Sequence, residues 1–252
     1  VAERETISVS VCMATYNGAR YVVEQLDSIL AQLPHDGEVV VVDDASHDET
    51  VSLVRGIGDA RIRVIEQSEN SGYVATFERA IAEARGDIVM LSDQDDVWVE
   101  GRVDALREAL TRAEVVASDL ALYPDGAPLP TPFGGKSWRL PSQPRQHRLR
   151  NTVGILAGAM PYFGCAMAFR RSAVSWVLPF PSFLVESHDL WIALCGNAAR
   201  SMGHVQTVTV LRRLHDSNAS PSRPRGPVSV LRSRWMLLRA VREASRRHRL
   251  RA

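Results

Sequence analysis

The stretch EVVVVDDAS, residues 38–46, decides the fold. Four consecutive valines, Val39 to Val42, end on two aspartates, Asp43 and Asp44. A strand that is apolar on both faces is buried on both faces, the habit of parallel sheets covered by helices. Three neighbouring stretches repeat the pattern: ISVSVCMAT (7–15), IRVIEQ (62–67) and DIVMLSD (87–93). Helical spacing fills the gaps between them. In GARYVVEQLDSILAQL (18–33) apolar residues fall at Tyr21, Val22, Leu26, Ile29, Leu30 and Leu33. SHDETVSLVRGIG (46–58) opens a second helix with Ser46 or Asp48 as its N-cap, and GYVATFERAIAEARG (72–86) is a third, ended by Gly86. A fourth is expected from about Trp98 to Arg112. Alternation of this kind predicts an α/β fold, a mostly parallel sheet with right-handed crossovers.

Beyond residue 115 the texture changes. VVASDLALYPDG (115–126) reads as a strand and turn, and residues 124–145 hold six prolines and three glycines, a long loop. YFGCAMAFRRSAV (162–174) reads as strand then helix, HDLWIALCGNAA (188–199) as a helix, and HVQTVTVLRRL (204–214) as a strand. SPSRPRGP (220–227) is a linker before a basic helix over 228–252. The 252 residues suffice for one large domain with a small appendage.

The formal charge of +1 hides an uneven distribution. Carboxylates crowd 36–50 and 87–104, whereas the last 25 residues carry eight arginines against Glu243 alone. Nucleic-acid binding by the body of the protein is excluded on that balance. The tail places Val230, Leu231, Trp235, Leu238 and Val241 at helical spacing amid Arg232, Arg234, Arg239 and Arg242. That pattern suits either an anionic membrane surface or docking on the protein's own domain or a second copy. Cys12, Cys165 and Cys195, widely spaced in apolar surroundings, read as reduced structural thiols of a cytosolic protein. No run approaches the ~18 apolar residues of a spanning helix and no leader pattern opens the chain, so a cytoplasmic or membrane-surface protein is expected.

Four polar clusters follow the strands: Thr15-Tyr16-Asn17-Gly18, Asp43-Asp44, Ser68 to Gly72, and Asp93-Gln94-Asp95-Asp96. Each alone is ordinary turn chemistry. Together they line the edge on which open parallel sheets bind ligands. LSDQDDVW (91–98) sets three carboxylates within four positions, and such repulsion calls for a cation. No GxGxxG follows the first strand and no GxxxxGK[ST] occurs, which disfavours dinucleotide and P-loop sites. A divalent cation bridging Asp oxygens to a diphosphate is the remaining way to hold phosphate here.

MATYNGARYVVEQLDSIL, VVVVDDASHDET, LSDQDDVW, GCAMAFRR, HDLWIALC and LRRLHDSNAS, in that order, resemble the family 2 glycosyltransferases, inverting enzymes of GT-A fold. Within them the chain is similar to a bacterial branch, marked by Asp-Gln-Asp-Asp-Val-Trp, that includes rhamnosyltransferases of surface polysaccharides. The resemblance covers roughly 7–220. It implies a donor half to about 115, an acceptor half over 116–220, and an appended linker and helix over 221–252.

By position, the resemblance implies that Ala14, Thr15, Tyr16 and Asn17 cradle the nucleotide of a dTDP- or UDP-sugar, with Gly72 and Gln94 on the same edge. Asp43 would read the pyrimidine imide with Asp44 in support, and Asp93 would face ribose or sugar. Asp95 and His215 would hold Mn²⁺ or Mg²⁺, while Asp96 would coordinate or cap the next helix. Asp189 would be the base that activates a glycan or lipid-linked hydroxyl, with Glu186 as the substitute. Trp98, His188 and Trp191 stand on the acceptor side or in the core. Where the branch often has tyrosine, this chain has Arg212. Two other readings stand beside this one: a sugar nucleotidyltransferase, for which ATYNGAR supplies only Arg20 as phosphate-loop cation, and a silent nucleotide-binding protein. A homodimer contact stays open.

Overall fold

A computed structural model of the chain describes residues 8–132, 134–135, 137–142, 147–215 and 226–250. The strands are β1 (Val9–Thr15), β2 (Glu38–Asp43), β3 (Ile62–Glu66), β4 (Ile88–Ser92), β5 (Val97–Trp98), β6 (Val115–Leu122), β7 (Ala127–Pro128), β8 (Met167–Arg170) and β9 (Met202–Arg212). The helices are α1 (Val22–Leu30), α2 (Thr50–Gly56), α3 (Tyr73–Glu83), α4 (Arg102–Leu110), α5 (Arg148–Ala157), α6 (Arg171–Val177), α7 (His188–Ala198) and α8 (Pro227–Arg249). One sheet runs β3-β2-β1-β4-β8-β6-β9-β5, with β7 paired to β6.

The valine run behaves as its composition dictates. Val40 and Val42 join Cys12, Val89 and Leu91 in one core, which α3, α6, α7 and α8 cover. Val39 and Val41 join Val11, Met13 and Met90 in the other, under α1 and α4. Because strand side chains alternate between faces, only a continuous apolar run can fill both. β1, β2, β3 and β4 are parallel, with Thr15 opposite Asp43 and Asp43 opposite Glu66, so their carboxyl ends lie level. From β4 onward the sheet is mixed: β8 runs antiparallel to β4 and β6, and β5 to β9.

Two local expectations are corrected, and one helix is unanticipated. The helix expected from Trp98 begins only at Arg102, because Val97 and Trp98 are taken up by β9 as a short antiparallel strand and Gly101 turns the chain at φ 81°. Asp48 does not occupy the cap position of α2; its carboxylate accepts from Thr50 N (3.0 Å), two residues on. Helix α5 has no counterpart among the sequence expectations. Residues 216–225, with most of the expected linker and the boundary at 220, lie outside the described residues. All three cysteines are buried free thiols, and no helix among the described residues is long and apolar enough to cross a membrane.

Candidate active site

The loops after β1, β2 and β4 are knitted into one edge. Asp43 closes inward: Thr15 Oγ1 (2.9 Å), Ser46 Oγ (2.6 Å) and Ser46 N (2.7 Å) all donate to it. Asp44 instead organises the loop before α3, accepting from Gln67 Nε2, Ser71 N and Gly72 N at 2.7–2.9 Å. Asn17, at φ 47°, donates its N–H to Ser46 Oγ and accepts from His47 N. Gln94 brackets Tyr16 with two bonds, one from Tyr16 N and one to Tyr16 O. A Cβ at position 18 would lie 2.2 Å from Gln94 Oε1, so a side chain there would push the Gln94 amide off Tyr16.

Above this edge lies a cleft of about 420 Å³, a size typical of small-ligand sites. Ala14, Thr15, Tyr16, Asp44, Gly72, Asp93, Gln94 and Asp95 line it from the strand ends. Phe163, Gly164, His188, Asp189 and Arg212 line it from the second half of the chain. Asp43 and Asn17 do not reach the wall: their polar atoms are used in holding the loops, so Asp44 is the acidic residue of that pair on the cleft. Neither Trp98 nor Trp191 reaches it either. Trp191 is 0% exposed and donates to Val177 O (2.9 Å), while Trp98 is buried beneath the Arg102 guanidinium, 4.4 Å from its ring. Both are packing residues. No described residue of the proline-rich loop lines the cleft.

The acidic cluster explains how its own charge is tolerated. Asp93 is pushed well above the usual carboxylate range by burial and by Asp96 and Asp95 beside it. Asp96 is raised too, by burial and by Asp95. Asp96 Oδ1 accepts from Arg213 N at the end of β9 (3.0 Å), and its Oδ2 has no hydrogen-bond partner among the described residues. It does not cap α4. Asp95 Oδ2 lies 2.7 Å from His215 Nε2, and the His215 ring stacks on Tyr21 at 4.7 Å. The structure therefore joins two residues 120 positions apart that the sequence assigned to one metal.

The donor set suits a hard divalent ion. Asp93 and Asp96 offer ligand atoms within 4.8 Å of each other and of Cys165 Sγ. The thiol is not a good third ligand, because burial and the two aspartates push it up. Two carboxylates of the cluster remain, and Asp96 Oδ2 has no hydrogen-bond partner among the described residues.

Two cations meet this negative charge; nothing in the sequence pointed to Arg102, and Arg212 was marked only as a replaced tyrosine that would contact diphosphate or be exposed. Arg102 is wholly buried, donating to Thr209 Oγ1 (2.7 Å), Cys165 O (2.7 Å) and Leu91 O (3.3 Å), with its charge facing Asp96. Its position at the start of an ordinary amphipathic helix gives no hint of this. Arg212 faces Asp93, Asp96 and Asp189 electrostatically, and its guanidinium lies 4.9 Å over the Phe163 ring. The replaced tyrosine in LRRLH was the available signal. Arg213, by contrast, is pinned to Asp95 O and to Glu24 and takes no place on the cleft.

Across the cleft, Asp189 is in the first turn of α7, not at its cap; Ser187 holds that position at φ 62°. Asp189 Oδ1 accepts from Leu190 N (2.7 Å), and Gly164 N–H also bonds to it. Burial raises Asp189 to about 6 despite these donors and Arg212. His188 is enclosed by Phe77, stacked at 4.3 Å, and by Tyr73, and burial lowers it to about 3. It is neutral, and neither ring nitrogen has a hydrogen-bond partner among the described residues. Glu186 accepts from Ser233 on α8 and does not line the cleft.

Such a sheet, with an acidic cleft across the ends of its parallel strands and a lone carboxylate on the far wall, defines an α/β ligand-binding domain of GT-A type. The family model for glycosyl transferase family 2 matches residues 10–176, well over half of the chain, and the chain belongs to that family. It is 38% identical over 114 residues to the succinoglycan biosynthesis protein ExoO of Rhizobium meliloti, covering 45% of this chain and 32% of that one. Over 195 residues it is 28% identical to the putative glycosyltransferase EpsE of Bacillus subtilis, covering 73% and 65%. Over 198 residues it is 28% identical to the putative colanic acid biosynthesis glycosyl transferase WcaA of Escherichia coli, covering 73% and 68%. The matches thus span about a third to two-thirds of these relatives' own lengths. In architecture it is similar to S. aureus TarS in complex with UDP-GlcNAc, with TM-score 0.67 at 19% identity over 96% of this chain and 72% of that one.

Proposed function

We propose that the protein transfers a sugar from a dTDP- or UDP-sugar to a hydroxyl of a glycan or lipid-linked acceptor, with inversion and with Mn²⁺ or Mg²⁺. One observation carries the reading: strand-end residues and Asp189, from opposite halves of the chain, line a single cleft. Residues up to about 115 then serve the donor and 116–220 the acceptor, apart from Arg212 and His215, which reach back to the diphosphate and the metal. The names of relatives in succinoglycan and colanic acid synthesis support polysaccharide assembly, and a rhamnosyl donor remains our reading of the DQDDVW stretch.

In this reading Ala14, Thr15, Tyr16, Asp44 and Gly72 seat the nucleoside and Asp93 faces the ribose or sugar. Asp95 and His215 hold the divalent ion, with Asp96 adjoining. When bound, that ion offsets charge on the diphosphate. Asp189 takes the proton of the acceptor hydroxyl while that oxygen bonds to the anomeric carbon and the bond to diphosphate breaks. The neutral, unpaired His188 offers the acceptor a hydrogen bond. Arg212 receives the negative charge that grows on the leaving diphosphate. A nucleotidyltransferase reading is less well supported, since Arg20 rests against Tyr21 and is not on the cleft.

A panel of nucleotide sugars with Mn²⁺, scored by thermal shift and by slow donor hydrolysis, tests the function. Metal-dependent stabilisation by one pyrimidine diphosphate sugar is expected; none for any donor refutes the reading. Asp95→Ala should weaken Mn²⁺ binding, followed calorimetrically without donor, by at least ~10-fold, because even outer partners of metal ligands carry that much. Arg212→Leu should weaken a nucleoside diphosphate by roughly 10–100-fold, the worth of a hydrogen bond to a charged group, and leave the nucleoside unchanged.

A further inference from the structure

Helix α8 has two faces with different fates. Its inner face, Met236, Leu237, Ala240 and Ala244, is buried in the core beside α7, and Val241 packs half-buried against it. Docking on the protein's own domain is therefore real, but of the residues the sequence pattern singled out only Val241 takes part in that core packing. Leu231, Trp235 and Leu238, at i, i+4 and i+7, remain 70%, 61% and 44% exposed. Nothing in the fold needs them there, and large apolar side chains aligned in water mark a contact surface.

Charge says what the contact is. Along the same helical line, the exposed Arg242 and Arg249 follow the apolar residues, and the exposed Arg232 and Arg239 flank them. The helix's one acid, Glu243, lies off this line and is already paired with Arg246 and Arg247. Aromatic and aliphatic groups bordered by unopposed arginines match the headgroup boundary of an anionic bilayer, where each cation adds attraction. We propose that this face of α8 seats on a membrane surface containing anionic phospholipid.

The seating also orients the cleft. Ser233 on α8 donates to Glu186, and the Arg239 guanidinium lies 4.1 Å over the Phe183 ring. The segment 183–189 that α8 thereby grips carries His188 and Asp189 onto the cleft wall. Helix α8 is thereby tied to the segment that carries the proposed acceptor-side residues, which suits a hydroxyl presented on a lipid. That last step rests on the transfer reading; the membrane contact does not.

Co-sedimentation of the full chain with phosphatidylcholine vesicles, with and without phosphatidylglycerol, tests the contact with no donor present. Binding is expected only with phosphatidylglycerol, and weaker as salt rises. Arg242→Gln with Arg249→Gln should lower it about 30-fold. Leu231→Ser with Leu238→Ser should lower it at least ~10-fold while circular dichroism stays native, since both positions are exposed. Absence of phosphatidylglycerol-dependent binding, or binding that both double variants retain, overturns the proposal. So does a wild-type dimer that the Leu231/Leu238 variant dissociates without any vesicle binding, which would assign the face to a second copy.

Discussion

Asp189→Asn is expected to lower turnover by about 10²–10⁴-fold, the usual contribution of a positioned base, while donor affinity stays within a few fold. The substitution keeps shape and keeps an oxygen for Leu190 N, so the loss would be one of proton acceptance. A second effect runs the other way. Burial holds the Asp189 carboxyl at about 6, above its ordinary 3.8, so ionising it works against the fold. The sign follows: below about pH 4 both forms of the chain carry a neutral group here and are equally stable. Between pH 4 and 6 the unfolded wild type releases its proton first, and above pH 6 the asparagine variant should be more stable by roughly 1–3 kcal/mol. Wild-type turnover should rise as pH passes about 6 and then level. Thermal melts at pH 4 and pH 8, beside a pH–rate profile, check both halves. A variant with full turnover would move the base elsewhere, and one that melts lower at pH 8 would make Asp189 a structural residue.

Arg102→Ala should be the most destabilising single change near the site, by roughly 3–5 kcal/mol, as when one partner of a buried charged network is removed. The guanidinium joins three separate pieces: the end of β4 through Leu91 O, the turn before β8 through Cys165 O, and β9 through Thr209. Truncation leaves those acceptors without that donor, opens a cavity over the Trp98 ring and withdraws the cation facing Asp96. Arg102→Lys is expected to recover little, because one ammonium cannot reproduce a planar fork spanning three acceptors. Urea titration of both variants measures this. Wild-type stability in Arg102→Ala would mean that the network contributes nothing net.

The sheet's parallel half was legible because its signal is local and redundant: four strands rich in β-branched and apolar residues, three of them largely buried on both faces, each followed by a polar turn. Asp93, Asp95 and Asp189 were legible as candidates for the same reason, since each stands in a short, dense motif. The failures share a different cause. β5 formed where a helix was expected because its partner, β9, lies more than a hundred residues away. Asp43 and Asp44 are indistinguishable in sequence. Backbone direction at the end of β2 alone sends one carboxylate into the Thr15–Ser46 network and the other to the cleft wall.

Sequence by itself thus determined the layering of this protein, its acidic edge and its family, because hydrophobic periodicity and short motifs survive in one dimension. Only the tertiary structure decided which charges meet. It set Arg102 under the aspartates, Arg212 into the cleft beside Asp189, His215 against Asp95, and half of α8 in the core with Leu231, Trp235 and Leu238 outside. Those pairings join residues far apart in the chain, and their strength depends on burial and distance, quantities a sequence does not contain.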